Sequence, residues 1–141
     1  MRMTTKGRYA LRAAIALAKA TDGVAPVSIK TLSQAEDISA EFLEQIFFKL
    51  RKAGLIESVR GPGGGFLFAK PLADITLKDI IEASGEGVEL AACATGKPDA
   101  CGRSCLCIAG DIWREMAEHL DSFLAGMTMQ DIVDRTKSAV M

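Results

Sequence analysis

Apolar residues recur at helical spacing along most of the chain and break into two short runs at one place. Residues 7–20 are apolar on most sides (Tyr9, Leu11, Ala14, Ile15, Leu17, Ala18), which predicts a buried helix ended by Asp22-Gly23. Ser28 stands where an N-cap belongs, ahead of a short helix with Ile29, Leu32 and Ala35 on one face. Ser39 caps a third helix whose apolar stripe is Leu43, Ile46, Phe47 and Leu50, and Gly54 sits at its left-handed C-terminal position. The other face of that helix carries Glu41, Glu44, Gln45, Lys49 and Lys52, with Arg51 beside them.

The two short runs, LIESVR and FLFAK, flank the tip GPGGG and predict a β-hairpin. Three helices followed by a hairpin is the order of a winged helix-turn-helix. After Pro71 the pattern restarts, with Thr76 capping a helix that bears Leu77, Ile80 and Ile81. From about Ile108 to Ala125 runs a long amphipathic helix with Ile112, Trp113, Met116, Leu120, Phe123 and Leu124, the spacing of a helix that packs along another helix. Gly126 ends it, and Thr128 starts a last short helix through Ile132 and Val133. The expected fold is mainly α with a small β-wing. Residues 1–72 form a winged helix-turn-helix, and 73–141 supply a cysteine loop and dimerisation helices, one of them long.

Composition narrows the class. The chain has 141 residues, 49% hydrophobic and 25% charged, enough for a core without disulfides. The opening MRMTTKGRYALRAAIALAKA interleaves basic and polar residues with apolar ones, so no run suits a signal peptide or a membrane span. A reducing cytoplasm follows as the expected location, and there grouped cysteines bind metal or sense redox state. The net charge of −1 hides an asymmetry: residues 1–70 hold 11 Lys/Arg against 6 Asp/Glu, residues 71–141 hold 6 against 12. The basic half suits a polyanion.

The third helix and the wing supply the means of reading DNA. Gln45 can pair bidentately with adenine, and the Lys/Arg groups around it can neutralise phosphates, although the same face would also serve a plain solvated helix. The string RGPGGG sets Arg60 beside a tip, including Gly61 and Gly63, that has almost no side chains, so the backbone can approach a groove closely. An arginine there is drawn to the negative potential of a narrow minor groove. Catalysis is not expected. The single His119 is expected on the surface beside Glu115 one turn back, no nucleophile stands with it, and GPGGG lacks the Lys-Ser/Thr of a phosphate-binding loop.

All four cysteines (Cys93, Cys101, Cys105 and Cys107) lie in one stretch, CATGKPDACGRSCLC. Thiolates on a loop broken by Gly and Pro are the donor set of a soft metal centre. A single zinc is an alternative, although the paired C-x(2–4)-C knuckles of structural zinc sites are missing. Free thiols or a redox disulfide are another.

TTKGRYALRA, FLEQIFFKLRKAGLIESVRGPGGGF and the cysteines together resemble the iron–sulfur-sensing winged-helix regulators of the IscR/NsrR type, over nearly the whole chain. The resemblance implies a homodimer that reads a double-stranded DNA operator. Gln45 in the major groove and Arg60 in the minor groove would read bases, with Thr4, Lys6, Tyr9, Arg51 and Lys52 on phosphates. Glu41 departs from the pattern, standing where familiar members have a small hydroxyl residue. Its carboxylate could accept from cytosine N4 or repel phosphate. Glu44, which the family shares, suggests a specificity switch.

The resemblance also assigns thiols. Cys101 and Cys107 are six apart and Cys107 precedes Trp113 by six, as for the family's second and third ligands, while Cys93 matches the first across a loop two residues longer. The usual fourth ligands are missing: Gly110 replaces the His of the IscR type, and Arg8 replaces an acidic residue used by other relatives. Cys105 is the internal candidate for that position, and a [4Fe–4S] centre is expected ahead of a [2Fe–2S] one. The implied function is a transcription regulator, such as a repressor, governed by a labile Fe–S cluster. A cluster-free thiol-responsive or zinc-binding regulator of the same fold is the alternative. An iron–sulfur redox protein without DNA function would have no need of the wing.

Overall fold

The computed structural model describes residues 5–21, 25–85 and 107–140. At its centre lies α1 (Thr5–Ala20), which buries Gly7, Ala10, Ala13, Ala14, Ala16, Leu17 and Ala18. So many small side chains let neighbours approach α1 closely on several sides. Around it pack α2 (Ile29–Glu36), α3 (Ala40–Lys52), α4 (Leu77–Ala83) and α6 (Met129–Val140). The long α5 (Ile108–Gly126) lies outside, against α4. The two strands are β1 (Ile56–Val59) and β2 (Gly65–Phe68), and a single 3-10 turn, Leu72–Asp74, leads into α4.

The caps read from the sequence are present. Ser28 Oγ accepts the Thr31 N–H at 3.1 Å and Ser39 Oγ accepts that of Phe42 at 3.2 Å. Between α2 and α3 only Asp37, Ile38 and Ser39 intervene, and Asp37 takes the left-handed conformation (φ 53°, ψ 46°) that turns the chain. Gly54 ends α3 with φ 81°, and the Leu55 N–H reaches back to the Leu50 carbonyl at 3.0 Å. That six-to-one bond is the mark of a Schellman stop.

The hairpin pairs Ile56 with Phe68 and Val59 with Gly65. The wing has a third participant that the hydrophobic pattern does not reveal. Val27, just before α2, forms an antiparallel bridge with Phe66, through N–H···O bonds of 2.9 and 2.8 Å. Gly65 is required here: a Cβ would lie 2.2 Å from the Val27 carbonyl oxygen. Gly64 is equally confined, by Val59, whereas Gly61 and Gly63 at the tip have open space and positive φ of 97° and 76°.

One continuous core joins both halves of the chain. Phe47, fully buried, packs on Phe66 with ring centroids 5.0 Å apart, and Leu17, Leu32, Leu43, Leu50, Ile75, Ile80 and Met129 complete it. The fold is mainly helical with a two-stranded wing, as the sequence implies. Three local readings change: α1 begins at Thr5, Ala35 is exposed rather than on the buried face of α2, and α6 runs on to Val140 instead of stopping near Val133. Among the described residues no helix is long and apolar enough to cross a membrane.

Candidate nucleic-acid interface and thiol segment

The buried stripe of α3 fixes which of its residues can face a ligand. With Leu43, Ile46, Phe47 and Leu50 in the core, Glu41, Glu44, Gln45, Phe48 and Lys52 are left exposed. Glu41, Glu44 and Gln45 border one surface depression of about 620 Å³, together with Lys6 from the start of α1. Two expected DNA contacts from α1 and the reading residues of α3 therefore share a side of the molecule. Tyr9 is the second: half-buried, its ring meets Phe42 edge-on at 5.3 Å and lies beneath the Arg12 guanidinium. Thr4 falls outside the described residues.

Arg60 leaves the end of β1 exposed, directly before Gly61 and Gly63 at the tip. Arg51 links helix to wing: its Nη1 donates to Ser58 Oγ at 3.1 Å, two residues before Arg60, and its guanidinium stands 5.8 Å from the centre of the Phe48 ring. Arg51 is thus already engaged within the protein, although it stays exposed.

Two features escape the hydrophobic pattern. Phe48 is 57% exposed on an otherwise polar face. The signal that could have found it is its position off the Leu43–Leu50 stripe, where an aromatic has no core to fill. Lys49 is the second and corrects the reading of that face. It is half-buried, and its Nζ donates to the Ser84 carbonyl at 3.2 Å instead of standing free to neutralise a phosphate.

Of the four cysteines, Cys93, Cys101 and Cys105 lie outside the described residues. Cys107 is described: an exposed free thiol at the N-cap of α5, making no side-chain capping bond. A negatively charged metal–thiolate centre would meet the positive end of that 19-residue helix favourably. Gly110 is buried in the first turn of α5 and offers no donor side chain, while Arg8 is exposed on α1. His119 is paired with Glu115 at 3.8 Å and 79% exposed, as a surface residue would be. Among the described residues no three His, Cys, Asp or Glu side chains converge on a point.

The outer face of α5 carries Ile108, Ile112, Trp113, Met116 and Phe123, from 40% to 79% exposed. Five large apolar groups on one helix make the kind of contiguous patch that marks an interaction surface. The helix is fixed to the body through α4, where Lys78 meets Asp121 at 3.0 Å, a contact that raises the Lys78 ammonium above the usual lysine range.

Comparison with known proteins gives consistent results. A family model described as "Rrf2: Iron-dependent Transcriptional regulator" matches residues 3–135. The transcriptional regulator IscR of Yersinia enterocolitica is 40% identical over 135 residues, covering 95% of this chain and 80% of that protein. Among solved structures, IscR of T. potens superposes with a TM-score of 0.80 at 30% identity, covering all of this chain and 92% of that one. CymR, described as the global cysteine regulator of B. subtilis, superposes with a TM-score of 0.75 at 30% identity, covering 96% of this chain and 98% of the other.

Proposed function

Because this chain belongs to the Rrf2 family of transcriptional regulators and is no enzyme, we propose that it works as a cytoplasmic homodimer whose affinity for a DNA operator is set by a labile Fe–S cluster. The observation that carries the sensing part is the thiol set itself: four cysteines within one stretch, with Cys101 and Cys107 at the spacing of the second and third cluster ligands in the IscR/NsrR type and Cys93 upstream across a loop two residues longer. The donors suit the group, since iron–sulfur centres are held by thiolates and Cys107 is exposed, unpaired and placed at a helix N-terminus. Cys93, Cys101 and Cys107 would hold the cluster, with Cys105 as the fourth ligand. When bound, the cluster supplies a redox- and iron-sensitive link between these thiols.

The protein's own residues would do the reading. Gln45, with Glu41 and Glu44 beside it, faces the major groove, and Arg60 reaches the minor groove from the wing, with Gly61 and Gly63 letting the tip approach. Lys6, Tyr9, Arg51, Lys52 and Thr4 would contact phosphates. Two such heads, paired through the apolar face of α5, would meet half-sites about one helical turn apart.

A second reading rests on CymR, a cysteine regulator that shares this fold. There the thiols would respond to oxidation without iron. Anaerobic purification followed by iron, acid-labile sulfide and zinc analysis with an absorption spectrum separates the two. Brown protein with iron and sulfide in near-equal amounts supports the cluster. Colourless protein with reversible disulfides supports the thiol regulator, and one tightly held zinc per chain rejects both.

A further inference from the structure

The contact between Lys49 and Ser84 joins the reading helix to the part of the molecule that would sense. Lys49 follows Gln45 by one helical turn and lines the same depression as Glu41, Glu44 and Gln45, and its side chain donates to Ser84, the C-cap residue of α4. There it meets a helix C-terminus, where carbonyls lack intrahelical partners and a positive charge is favoured. Ser84 is itself immobilised: it is 2% exposed, its N–H bonds the Ile80 carbonyl at 3.2 Å and its hydroxyl bonds the Ile81 carbonyl at 2.6 Å. Its carbonyl is the part left to receive Lys49, and a Cβ on the next residue, Gly85, would stand 3.4 Å from the same ammonium.

The other end of α4 is tied to the long helix. Lys78, in its first turn, pairs with Asp121 of α5, and the Leu77 N–H donates to the Met127 carbonyl at 2.9 Å, just past the end of α5. Cys107 occupies the N-cap position at the start of α5. A continuous set of contacts therefore runs from Cys107 along α5, across Lys78–Asp121 to α4, and through Ser84–Lys49 to the turn of α3 that bears Gln45.

We propose that Lys49 is a positioning residue that couples the state of the cysteines to operator reading within one subunit, by holding α3 to the end of α4. The inference rests on the sensing function proposed above. An ion–carbonyl contact of this kind forms or breaks with a small shift of α4, and it acts on the roll of α3 because it spans the two helices. A pathway of contacts earns belief only from measured coupling, so the test is a coupling ratio. Operator affinity is measured by fluorescence anisotropy, on a duplex selected from a random library by the wild-type protein. Each protein is compared after anaerobic loading with ferrous iron and sulfide and after stripping with a chelator, and a scrambled duplex is run in parallel.

The wild-type ratio between the two states should be at least about five-fold, the lower range of ordinary allosteric coupling. In Lys49→Met, which keeps the aliphatic packing and removes the donor, the ratio should fall toward one, and Lys49→Arg should restore most of it. Cluster absorbance, scrambled-duplex affinity and melting temperature should stay close to wild type in the Met variant. A full wild-type ratio in Lys49→Met would overturn the proposal alone. So would an equal loss on operator and scrambled DNA with a shallower salt dependence, since that is the behaviour of a phosphate contact. A wild-type ratio of one would instead overturn the sensing function, and the coupling role with it.

Discussion

Thr76 and Thr128 face each other across an isolated antiparallel bridge, and each opens a helix with the same reciprocal cap. Thr76 Oγ1 accepts the Asp79 N–H while Asp79 Oδ2 accepts that of Thr76, and Thr128 with Asp131 repeats the exchange. Main-chain bonds of 2.9 Å (Leu77 to Met127) and 2.8 Å (Met129 to Ile75) join the two starts. Thus α4 and α6 enter the core as one unit. Thr76→Ala and Thr128→Ala should each cost about 1 kcal/mol, or roughly 2–4 °C in Tm for a chain of this size. The double variant should depart from the sum of the two losses, because the caps face each other across one bridge; circular dichroism melts of both variants and the double variant will show it.

Acid should loosen α6 through Asp131. Its carboxylate accepts the Thr128 N–H, and that bond, with the Thr128 hydroxyl, holds it below the usual aspartate value of 3.8. A lowered folded-state pKa contributes stability above the unfolded value and loses it as pH falls through the folded one. The Tm gap between wild type and Asp131→Asn should therefore be full near neutrality and close below the aspartate range. A gap independent of pH would assign the effect to the amide's geometry instead.

Arg60 and Lys52 should behave differently on DNA. Removing a groove-reading arginine relaxes sequence discrimination, so Arg60→Ala should weaken operator binding by about 1–3 kcal/mol and scrambled DNA much less. Lys52→Ala should weaken both alike and reduce the salt slope. Equal losses on both duplexes for Arg60→Ala would make the wing arginine a phosphate contact.

The apolar face of α5 should govern assembly. Ile112 is 53% exposed within the chain, so Ile112→Asp should cost the subunit little but would place a charge in the middle of the proposed dimer face. Sedimentation should show the dimer mass for wild type and the subunit mass for the variant at micromolar concentrations. A variant that remains dimeric would move the interface off α5.

Much of this could be read from the sequence because the information was local. The caps Ser28, Ser39 and Thr76 each reach a backbone N–H three residues away, and the stripe Leu43–Ile46–Phe47–Leu50 needs only the helical period to be recognised. The resemblance placed the family correctly for the same reason, since its signature strings are continuous. What stayed hidden was partnership across distance. Periodicity put Lys49 on the polar face of α3 but could not name Ser84, 35 residues on, as its acceptor. Asp37 in a left-handed conformation gave no signal, as aspartate adopts it far less readily than glycine. The pairing of Val27 with Phe66 depends on the absence of a Cβ at Gly65, a steric fact invisible to hydropathy.

That same pairing makes the wing a fixed blade. Stitched through Phe66 to the strand-like residue ahead of α2, and through Ser58 to Arg51 of α3, it is braced from both sides. Arg60 rides on it as the tip of a caliper jaw rides on its arm. Under the function proposed above, altering its reach into a groove would then mean moving the wing together with α3, so a signal that rolls the helix would carry the blade with it.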